Sequence, residues 1–130
     1  MANVEVKADR RYTKDHEWAK SDGGEVTVGI TAFAVEQLGD ITLVNIDVAE
    51  GDEVEAGSAF GTVDSVKAVS ELFAPLSGKV VRLNDELEDK PEIINEDCYD
   101  KGWLLTIAPA DAAAIDALLD PEAYAELCKE

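Results

Sequence analysis

Apolar and polar residues alternate in the first part of the chain in the way that a half-buried strand requires. Val26, Val28 and Ile30 stand two residues apart, so their side chains fall on one face of an extended segment. A second strand-like stretch, residues 17–20, precedes them and is separated by the turn Ser21-Asp22-Gly23-Gly24. Because glycine adopts positive φ without strain, this spacing predicts a β-hairpin.

A short helix is predicted immediately after this hairpin, near residues 31–39. Thr31 is placed to cap its first turn, and Gly39 is placed to end it in the left-handed conformation that glycine tolerates best. Residues 41–48 then return to the composition of a strand. The acidic segment that follows is predicted to be a turn in which Val54 points inward.

Further strands are indicated by runs of β-branched residues that are separated by glycine and proline, the residues that favour turns. They are predicted at residues 59–64, 71–73, 78–83 and 103–108. The polar segment between the last two is predicted to be a surface loop with one short helical turn. Strands that follow one another with little helix between them favour an antiparallel arrangement over an alternating α/β fold.

The end of the chain changes to helical character. Asp111 is placed to cap a helix, and Asp120 followed by Pro121 marks a second helix start. We therefore expect a single domain over residues 1–130, with a core at about 12–108 and a C-terminal helical segment at about 111–128. The predicted fold class is mainly β, a hybrid antiparallel sandwich or flattened barrel, with the short helix and the C-terminal helices added.

Charge narrows the partners that the chain can have. Lys and Arg total 11 against 29 Asp and Glu, which gives a formal net charge of −18. Nucleic acids and anionic membranes bind through cations on the protein, so we expect neither as a partner. No apolar run has the length of a membrane-spanning helix. Net charge this far from zero opposes self-association, and a monomer is expected.

Cysteine and histidine usage argues against a metal site or a nucleophilic triad. Cys98 and Cys128 lie far apart without a CxxC motif, and His16 is the one histidine. The sequence predicts ordinary part-buried thiols in a reducing compartment and no metal. The first residues have neither the apolar core of a signal peptide nor the acid-free composition of a transit peptide.

Lys67 stands alone among apolar and small residues between two predicted strands. A solvated lysine amine is protonated at neutral pH and is a poor nucleophile, and no neighbouring cation or strongly apolar surround is indicated that would activate it. Lys67 is therefore not expected to be a catalyst. From spacing alone it is either a solvated turn lysine or an exposed attachment point.

The residues around Lys67 form a distinctive pattern, Asp64-Ser65-Val66-Lys67-Ala68-Val69-Ser70-Glu71, followed by Pro75-Leu76-Ser77-Gly78. Other short motifs lie on both sides of it, at residues 12–18, 28–31, 38–40, 95–97 and 102–104. In this order, over about residues 12–127, they resemble the glycine cleavage H-protein family. The pattern around Lys67 is similar to the lipoyl attachment site of that family.

The resemblance implies a lipoyl-domain fold and lipoic acid in amide linkage to Nζ of Lys67. It implies that the enzyme attaching the group recognises the residues around the lysine: Asp64, Ser65, Val66, Ala68, Glu71 and Gly78. The chain would be a non-catalytic carrier, because the sulfur chemistry belongs to the cofactor. Asp64 and Glu71 stand where the family usually has the other acid, Glu and Asp respectively.

The implied partners are the enzymes of glycine cleavage. The lipoyl arm would take an aminomethyl group from a pyridoxal-phosphate decarboxylase (P-protein) to a tetrahydrofolate-dependent aminomethyltransferase (T-protein). Dihydrolipoamide dehydrogenase (L-protein) would then reoxidise it. A lipoate ligase or an octanoyltransferase would supply the group. The expected location is the bacterial cytoplasm, or the mitochondrial matrix in a eukaryote after removal of a transit peptide.

The family shelters its loaded arm in a surface cleft, and the resemblance places Glu17 and Phe33 there. Glu17 would pair with the amine of the arm, or be an exposed strand glutamate without a special role. Phe33 stands where some members carry a histidine, so it would contribute apolar contact alone. His16 and Trp18 are expected to be structural.

Four other functions compete with this one. A biotin carrier shares the fold, but its sites usually read Met-Lys-Met, unlike Val66-Lys67-Ala68. A lipoyl domain of an acyltransferase usually has Asp-Lys-Ala and attached linkers. A small enzyme with Glu17, His16 and a carboxylate as acid and base is a third alternative. A relay that donates lipoyl groups to other lipoyl enzymes is the fourth, and no residue separates it from glycine cleavage.

Overall fold

The strands of the protein form two antiparallel sheets. A computed structural model describes residues 9–128, apart from the side chains of Asp22, Ala112 and Cys128. Within that range the first sheet has six strands in the order β1-β2-β3-β9-β8-β5, and the second has three in the order β4-β6-β7. The strands are β1 Arg11–Tyr12, β2 Glu17–Asp22, β3 Glu25–Ile30, β4 Ile41–Ile46, β5 Glu53–Val54, β6 Ala59–Ser65, β7 Val69–Phe73, β8 Gly78–Leu83 and β9 Leu105–Pro109. This confirms the predicted mainly β antiparallel fold.

Four α-helices and one 3₁₀ helix connect and flank the strands. They are α1 Ala32–Leu38, α2 Glu86–Asp89, α3 Ile93–Glu96, the 3₁₀ helix Ala112–Ala117 and α4 Pro121–Cys128, counted over the described residues. The side chain of Thr31 accepts a hydrogen bond from Ala34 N, which confirms the predicted cap of α1. Gly39 ends the helix with φ 82° and ψ −151°. This is an extended conformation open almost solely to glycine, not the expected left-handed helical one.

The predicted hairpin of β2 and β3 is present in the first sheet. The strands pair from Glu17 opposite Ile30 to Asp22 opposite Glu25. Gly23 and Gly24 between them have φ of 60° and 88°, as a two-residue hairpin turn requires. The alternating residues that predicted β3 point into the core, since Val26, Val28 and Ile30 are all buried.

The three-stranded sheet has one inward and one outward face. Val44 lies opposite Val63, which lies opposite Ser70, and the two valines are buried. The adjacent row, Leu43 opposite Asp64 opposite Val69, faces outward. Leu43 and Val69 are exposed. A bulge between Ile41 and Leu43 lets Ile41 remain buried although its neighbours turn outward.

One hydrophobic core lies between the two sheets. The first sheet contributes buried side chains from its central strands, and the second contributes from all three of its strands. Among the most buried are Val28, Leu105 and Ile107 on one side and Phe60, Val63 and Leu72 on the other. Burial of this kind contributes roughly 1.5–3 kcal/mol for each large aliphatic side chain.

The segment around Leu119 and helix α4 packs against β1. Tyr12 and Leu119 form a two-way backbone bridge, each amide donating to the other's carbonyl at 2.8 Å. The rings of Tyr12 and Tyr124 stack 4.5 Å apart with an interplanar angle of 8°. Asp120 caps α4 by accepting from Ala123 N at 2.8 Å, as its position before Pro121 predicted.

Two predicted elements need correction. The segment before β9, predicted as a surface loop with one helical turn, contains α2 and α3, and each buries one apolar residue, Leu87 and Ile94. A four-residue helix with a single inward residue produces no periodic pattern in the sequence. The helix after Asp111 is a 3₁₀ helix that ends at Ala117, so Leu119 is free to pair with Tyr12 in extended form.

Gly29 is required by close packing in the hairpin, and its replacement is the test of this architecture. A Cβ at Gly29 would lie 2.5 Å from Cε2 and Cζ2 of Trp18. The indole is 1% exposed and donates a hydrogen bond to the Cys98 carbonyl at 3.0 Å. We expect Gly29→Ala to lower the free energy of unfolding in urea by about 3 kcal/mol, because the ring cannot move without losing that bond.

Gly24→Ala is the matched control for this prediction. Gly24 has φ 88°, but no atom lies within 4 Å of the added Cβ, so only backbone strain of about 1 kcal/mol is expected. Equal losses in the two variants would contradict the packing explanation for Gly29.

Candidate functional site

Lys67 lies at the exposed tip of the hairpin between β6 and β7. Ser65 holds the turn: its hydroxyl accepts from Lys67 N at 3.2 Å and from Ala68 N at 3.1 Å. Ser65 N also donates to the Ala68 carbonyl at 2.8 Å. No residue of this turn has positive φ, so the backbone accepts ordinary residues without strain. The backbone of Lys67 is thus fixed, whereas its side chain extends from the tip.

A second contact anchors the turn to the start of β4. Val66 N donates to the Asp40 carbonyl at 3.0 Å. A Cβ at Gly39 would lie 3.3 Å from Val66 Cγ2 and 3.5 Å from Lys67 Cε, so the stem of the lysine rests over this glycine. The unusual backbone conformation of Gly39 favours glycine here, and an added Cβ would be tight against Val66 but in ordinary contact with the lysine.

Asn95 in α3 hydrogen-bonds to residues 39 and 41, on both sides of the Asp40 carbonyl that anchors the turn. We call residues 39–41 the corner at Asp40. Asn95 Oδ1 accepts from Ile41 N at 2.8 Å, and its Nδ2 donates to the Gly39 carbonyl at 3.1 Å. These bonds fix the peptide groups on both sides of Asp40, whose own carbonyl holds Val66. The sequence placed Asn95 in a motif but gave it no role, because its partners are more than fifty residues away. Its place in the motif at residues 95–97 was the one available signal.

The residues predicted for recognition of the attachment site separate into two groups. Val66, Ala68 and Glu71 are exposed around the turn, and Asp64 and Ser65 are half-buried beside it. Gly78 lies in β8 of the other sheet and is buried. A Cβ at Gly78 would lie 2.9 Å from Cα of Pro109, so close strand packing accounts for the glycine.

Glu17 is buried, at 2% exposure, and so it is not the exposed strand glutamate that the sequence left open. Its Oε1 accepts from the Thr13 hydroxyl at 3.0 Å, and its Oε2 accepts from Phe73 N at 3.0 Å. The carboxyl therefore joins β2 of one sheet to the end of β7 of the other. Thr13, which also accepts from the amides of Asp15 and Glu17, was not singled out in the sequence.

A cavity of about 280 Å³ adjoins this carboxyl. Its walls are mostly apolar and come from the loop before β2, the end of β7 and the segment before α4: Tyr12, Thr13, Lys14, Asp15, Glu17, Gly57, Phe73, Ala74, Pro75, Ala117, Leu118 and Leu119. Strand β7 runs from the Lys67 turn to this cavity, and Val69 and Phe73 at its two ends are roughly 13 Å apart at 3.3 Å per residue.

Burial raises the pKa of Glu17 from its ordinary 4.5 to about 7. The hydrogen bonds from Phe73 N and Thr13 act in the opposite direction, and the neighbouring Asp15 carboxylate raises the pKa further. Neither donor is charged, so the carboxylate has no cation among these partners. The site can accept either a proton or a cationic group near neutral pH.

Phe33 and His16 form a separate cluster and do not line the cavity wall. Their rings stack 4.5 Å apart, and His16 Nδ1 lies 2.8 Å from the Tyr124 hydroxyl. The same hydroxyl lies 2.6 Å from Thr31 Oγ1. Burial lowers the pKa of His16. His16 has φ 69°, a strained value for a non-glycine residue, so this packing holds it in place.

Residues 9–128 contain no group of three His, Cys, Asp or Glu side chains that could hold a metal ion. No helix in that range is long and apolar enough to cross a membrane. Cys98 is buried, and the side chain of Cys128 lies outside the described part.

Two antiparallel sheets around one core, with a lysine fixed at a hairpin tip, define a carrier domain of the lipoyl type. The model of the family "Glycine cleavage H-protein" matches residues 10–130. The chain belongs to the glycine cleavage H-protein family, which confirms the family expected from its motifs. The lipoyl-carrier role in glycine cleavage, predicted with it, is confirmed at the level of the family.

Individual relatives agree with the family match. The glycine cleavage system H protein of Anaeromyxobacter sp. (strain K) is 52% identical over 128 residues, covering 98% of each chain. That of Halalkalibacterium halodurans is 48% identical over 120 residues, covering 92% of this chain and 93% of the relative. A crystal structure of the Mycobacterium marinum H protein superposes with a TM-score of 0.84 at 42% identity, covering 93% of this chain and 97% of that one.

The buried carboxyl of Glu17 predicts a pH-dependent stability. Because the pKa of Glu17 is raised in the folded state, the folded protein keeps a proton between about pH 4.5 and 7 that the unfolded chain has lost. The protonated carboxyl therefore contributes to the free energy of unfolding. This contribution is therefore fully present below pH 4.5 and is lost as the pH rises through 7, by about 3 kcal/mol in total. Glu17→Gln lacks it, so the variant should gain stability relative to the unmodified sequence as pH rises from 4.5 to 8.

Urea unfolding at several pH values measures this difference. Glu122→Gln on α4 removes one exposed carboxylate and controls for the change in net charge. A Glu17→Gln difference that stays constant with pH would contradict the raised pKa.

The two hydrogen bonds of Asn95 predict that this side chain keeps the backbone of the Lys67 turn ordered. Asn95→Ala removes both bonds to the corner at Asp40, and we expect amide exchange of Val66 to accelerate about tenfold while distant core amides change little. Asn95→Asp keeps an acceptor for Ile41 N and should give a smaller change. Asn45→Ala, which removes an exposed amide bonded to Asp47, is the control. Unchanged protection of Val66 would contradict this role.

Proposed function

We propose that the protein carries lipoic acid on Nζ of Lys67 and serves as the non-catalytic carrier between the enzymes of glycine cleavage. The observation that supports it most directly is the hairpin tip, where Ser65 and Asp40 fix the backbone and leave the amine exposed. The group supplies a disulfide that accepts the aminomethyl unit of glycine and is later reoxidised. The chain contributes placement of the arm, shelter and surfaces for its partners.

The partners follow from that cycle. They are the pyridoxal-phosphate decarboxylase, the tetrahydrofolate-dependent aminomethyltransferase and dihydrolipoamide dehydrogenase, together with a lipoate ligase or an octanoyltransferase. A fixed tether replaces free diffusion between these enzymes with a local search. A single lipoyl-carrier domain over residues 1–130, monomeric and located in the bacterial cytoplasm, fits this role.

Glu17 gives the cavity at the end of β7 a preference for cationic groups. Its carboxylate is buried, accepts from two neutral donors and adjoins mostly apolar walls. A cationic amine brought into this cavity would form a charge-assisted hydrogen bond of greater strength than in water. The apolar walls would keep water from the bound group. Phe33 would assist only through its packing on His16, which supports the loop leading into β2.

Replacement of the lysine tests the attachment. Lys67→Arg keeps the charge but cannot form the amide, so we expect the variant to gain no lipoyl mass during expression with lipoate. Since the side chain is exposed and pairs with no acidic group in the described residues, folding should be unchanged. Intact mass, peptide mapping and far-ultraviolet circular dichroism measure these points, and glycine cleavage with the three partner enzymes should be absent.

Lys79→Arg is the control, because Lys79 is an exposed lysine on β8. It should acquire one lipoyl group and support full activity. A lipoyl group on Lys67→Arg, or a biotin adduct at Lys67 in the unmodified sequence, would overturn the assignment.

A further inference from the structure

His16 is the one residue other than glycine within residues 9–128 that has a positive φ, at 69°. It closes the loop between β1 and β2, where its amide donates to the Thr13 carbonyl at 3.1 Å and makes residues 13–16 a β-turn. A left-handed residue at the end of a hairpin loop is normally glycine, because a Cβ strains this conformation. The contacts of His16 therefore have to offset backbone strain.

The same loop provides a hydrogen-bond donor to the Glu17 carboxyl. Thr13 N donates to the Glu17 carbonyl at 2.9 Å, and Glu17 N donates to Thr13 Oγ1 at 3.2 Å. These bonds close the loop, and the Thr13 hydroxyl donates to Glu17 Oε1 at 3.0 Å. A negative φ at His16 would turn the chain in another direction and separate Thr13 from Glu17. The backbone of His16 thus determines whether the carboxyl keeps this donor.

Tyr124 on α4 holds His16 from behind the loop. Its hydroxyl lies 2.8 Å from His16 Nδ1 and 2.6 Å from Thr31 Oγ1. The rings of His16 and Tyr124 also meet in a T-shaped arrangement with centroids 5.6 Å apart. The Tyr124 ring stacks on Tyr12, the residue immediately before the loop. One tyrosine thus joins the loop to the end of β1 and to the cap of α1.

Burial makes the Tyr124 hydroxyl important for the conformation of His16. Tyr124 and Thr31 are both fully buried, so in Tyr124→Phe the His16 Nδ1 atom would face an apolar ring edge in place of a hydroxyl. The imidazole regains a hydrogen bond by turning toward water, and this movement also releases the backbone strain. The bond from Thr31 N to the His16 carbonyl, at 3.0 Å, and the stack on Phe33 oppose the movement in part.

We infer that Tyr124 is a positioning residue for the cavity at the end of β7. Acting through His16, it holds the β1–β2 loop in the conformation in which Thr13 stays bonded to Glu17. Tyr124 does not line the cavity itself, whereas residues 13–15 of the loop and Glu17 do. Its effect on the sheltering of a cationic amine rests on the proposed function. Its effect on Glu17 does not, and can be measured without lipoic acid.

The pKa of Glu17 measures whether Thr13 is still bonded to it. The bond from Thr13 stabilises the carboxylate and lowers the pKa, whereas burial and the neighbouring Asp15 carboxylate raise it. Among the described residues that line the cavity, Lys14 is the remaining charged side chain. Loss of the Thr13 donor therefore raises the pKa of Glu17 above its value of about 7.

A carbon-13 NMR titration of the glutamate carboxyl groups in the full chain tests the inference, with Glu17→Gln to assign the resonance. We expect Tyr124→Phe to raise the pKa of Glu17 by about 0.7, which corresponds to the loss of one neutral hydrogen bond. Tyr99→Phe is the matched control, because Tyr99 is also buried and its hydroxyl accepts from Ala32 N at 3.2 Å. It removes one buried hydroxyl outside the loop and should leave the pKa of Glu17 unchanged.

Substitutions of His16 test the strain directly. Glycine adopts a φ of 69° freely, whereas alanine does not. We expect His16→Gly to keep the pKa of Glu17 close to that of the unmodified sequence, although it lacks the ring, and His16→Ala to raise it as Tyr124→Phe does. In the His16→Gly background, Tyr124→Phe should have no further effect on this pKa, because the hydroxyl then has no strained residue to hold.

The consequence for sheltering is measured on the lipoylated protein loaded with an aminomethyl group. Water converts that group into formaldehyde and ammonia and leaves a thiol on the arm. With a pKa of about 7, half of Glu17 is ionised at pH 7, and with a pKa of about 7.7 roughly one sixth is. We expect formaldehyde release at pH 7 to be up to about threefold faster in Tyr124→Phe, with Glu17→Gln as the upper limit.

The outcomes separate this inference from the proposed function. An unchanged pKa of Glu17 in folded Tyr124→Phe overturns the inference, and so does an equal rise in Tyr99→Phe. If Tyr124→Phe does not fold, equal pKa values in His16→Gly and His16→Ala overturn it. A raised pKa in a chain that acquires no lipoyl group supports the positioning role and contradicts the proposed function. Unchanged formaldehyde release despite a raised pKa overturns the role in sheltering.

Discussion

The register of the β6–β7 hairpin is the constraint on which the functional surface depends. Val63 and Leu72 must point into the core that the two sheets share, and both are almost fully buried. Because side chains alternate with a period of two, a slip of one residue would expose both and bury the outward row. The same register therefore holds Lys67 at the tip and turns Asp64 and Val69 outward. Core packing thus determines what a partner protein meets at the surface.

Glu17 is the polar joint between the two sheets. A buried carboxyl is unfavourable unless hydrogen bonds replace its contacts with water, and Thr13 and Phe73 N supply two. Neutral donors satisfy the geometry without neutralising the charge, which is why burial still raises the pKa. The carboxyl consequently holds the end of β7 in place. In the proposed function, the same side chain would also receive the cationic group.

The parts of the fold that could be predicted are those governed by local chemistry. The glycine pair of the β2–β3 turn and the Thr31 cap act on residues within a few positions, so the sequence identified both. The bonds of Glu17 to Phe73 and of Asn95 to Gly39 each connect residues 56 apart, and no local pattern reports them. Spacing alone left Lys67 undecided between a solvated residue and an attachment point. The motifs on both sides of it favour the attachment point, which stays a prediction.

The hydrogen bonds that fix Lys67 reach no further along the residue than its Cα, and the stem of its side chain lies over Gly39. Up to that atom, Ser65 and Asp40 fix the turn, and Asn95 fixes the corner that holds it. Beyond it, in the part of the chain that the structure describes, Nζ lies in no ion pair, although acidic residues are close. Holding a lysine side chain in one conformation costs about 2 kcal/mol of rotamer entropy, and each partner would have to reverse any such restraint. A loose turn would add the opposite penalty, because each partner would have to order the backbone as well. A carrier that serves several active sites is therefore best built with an ordered backbone and an unpaired side chain at the same residue.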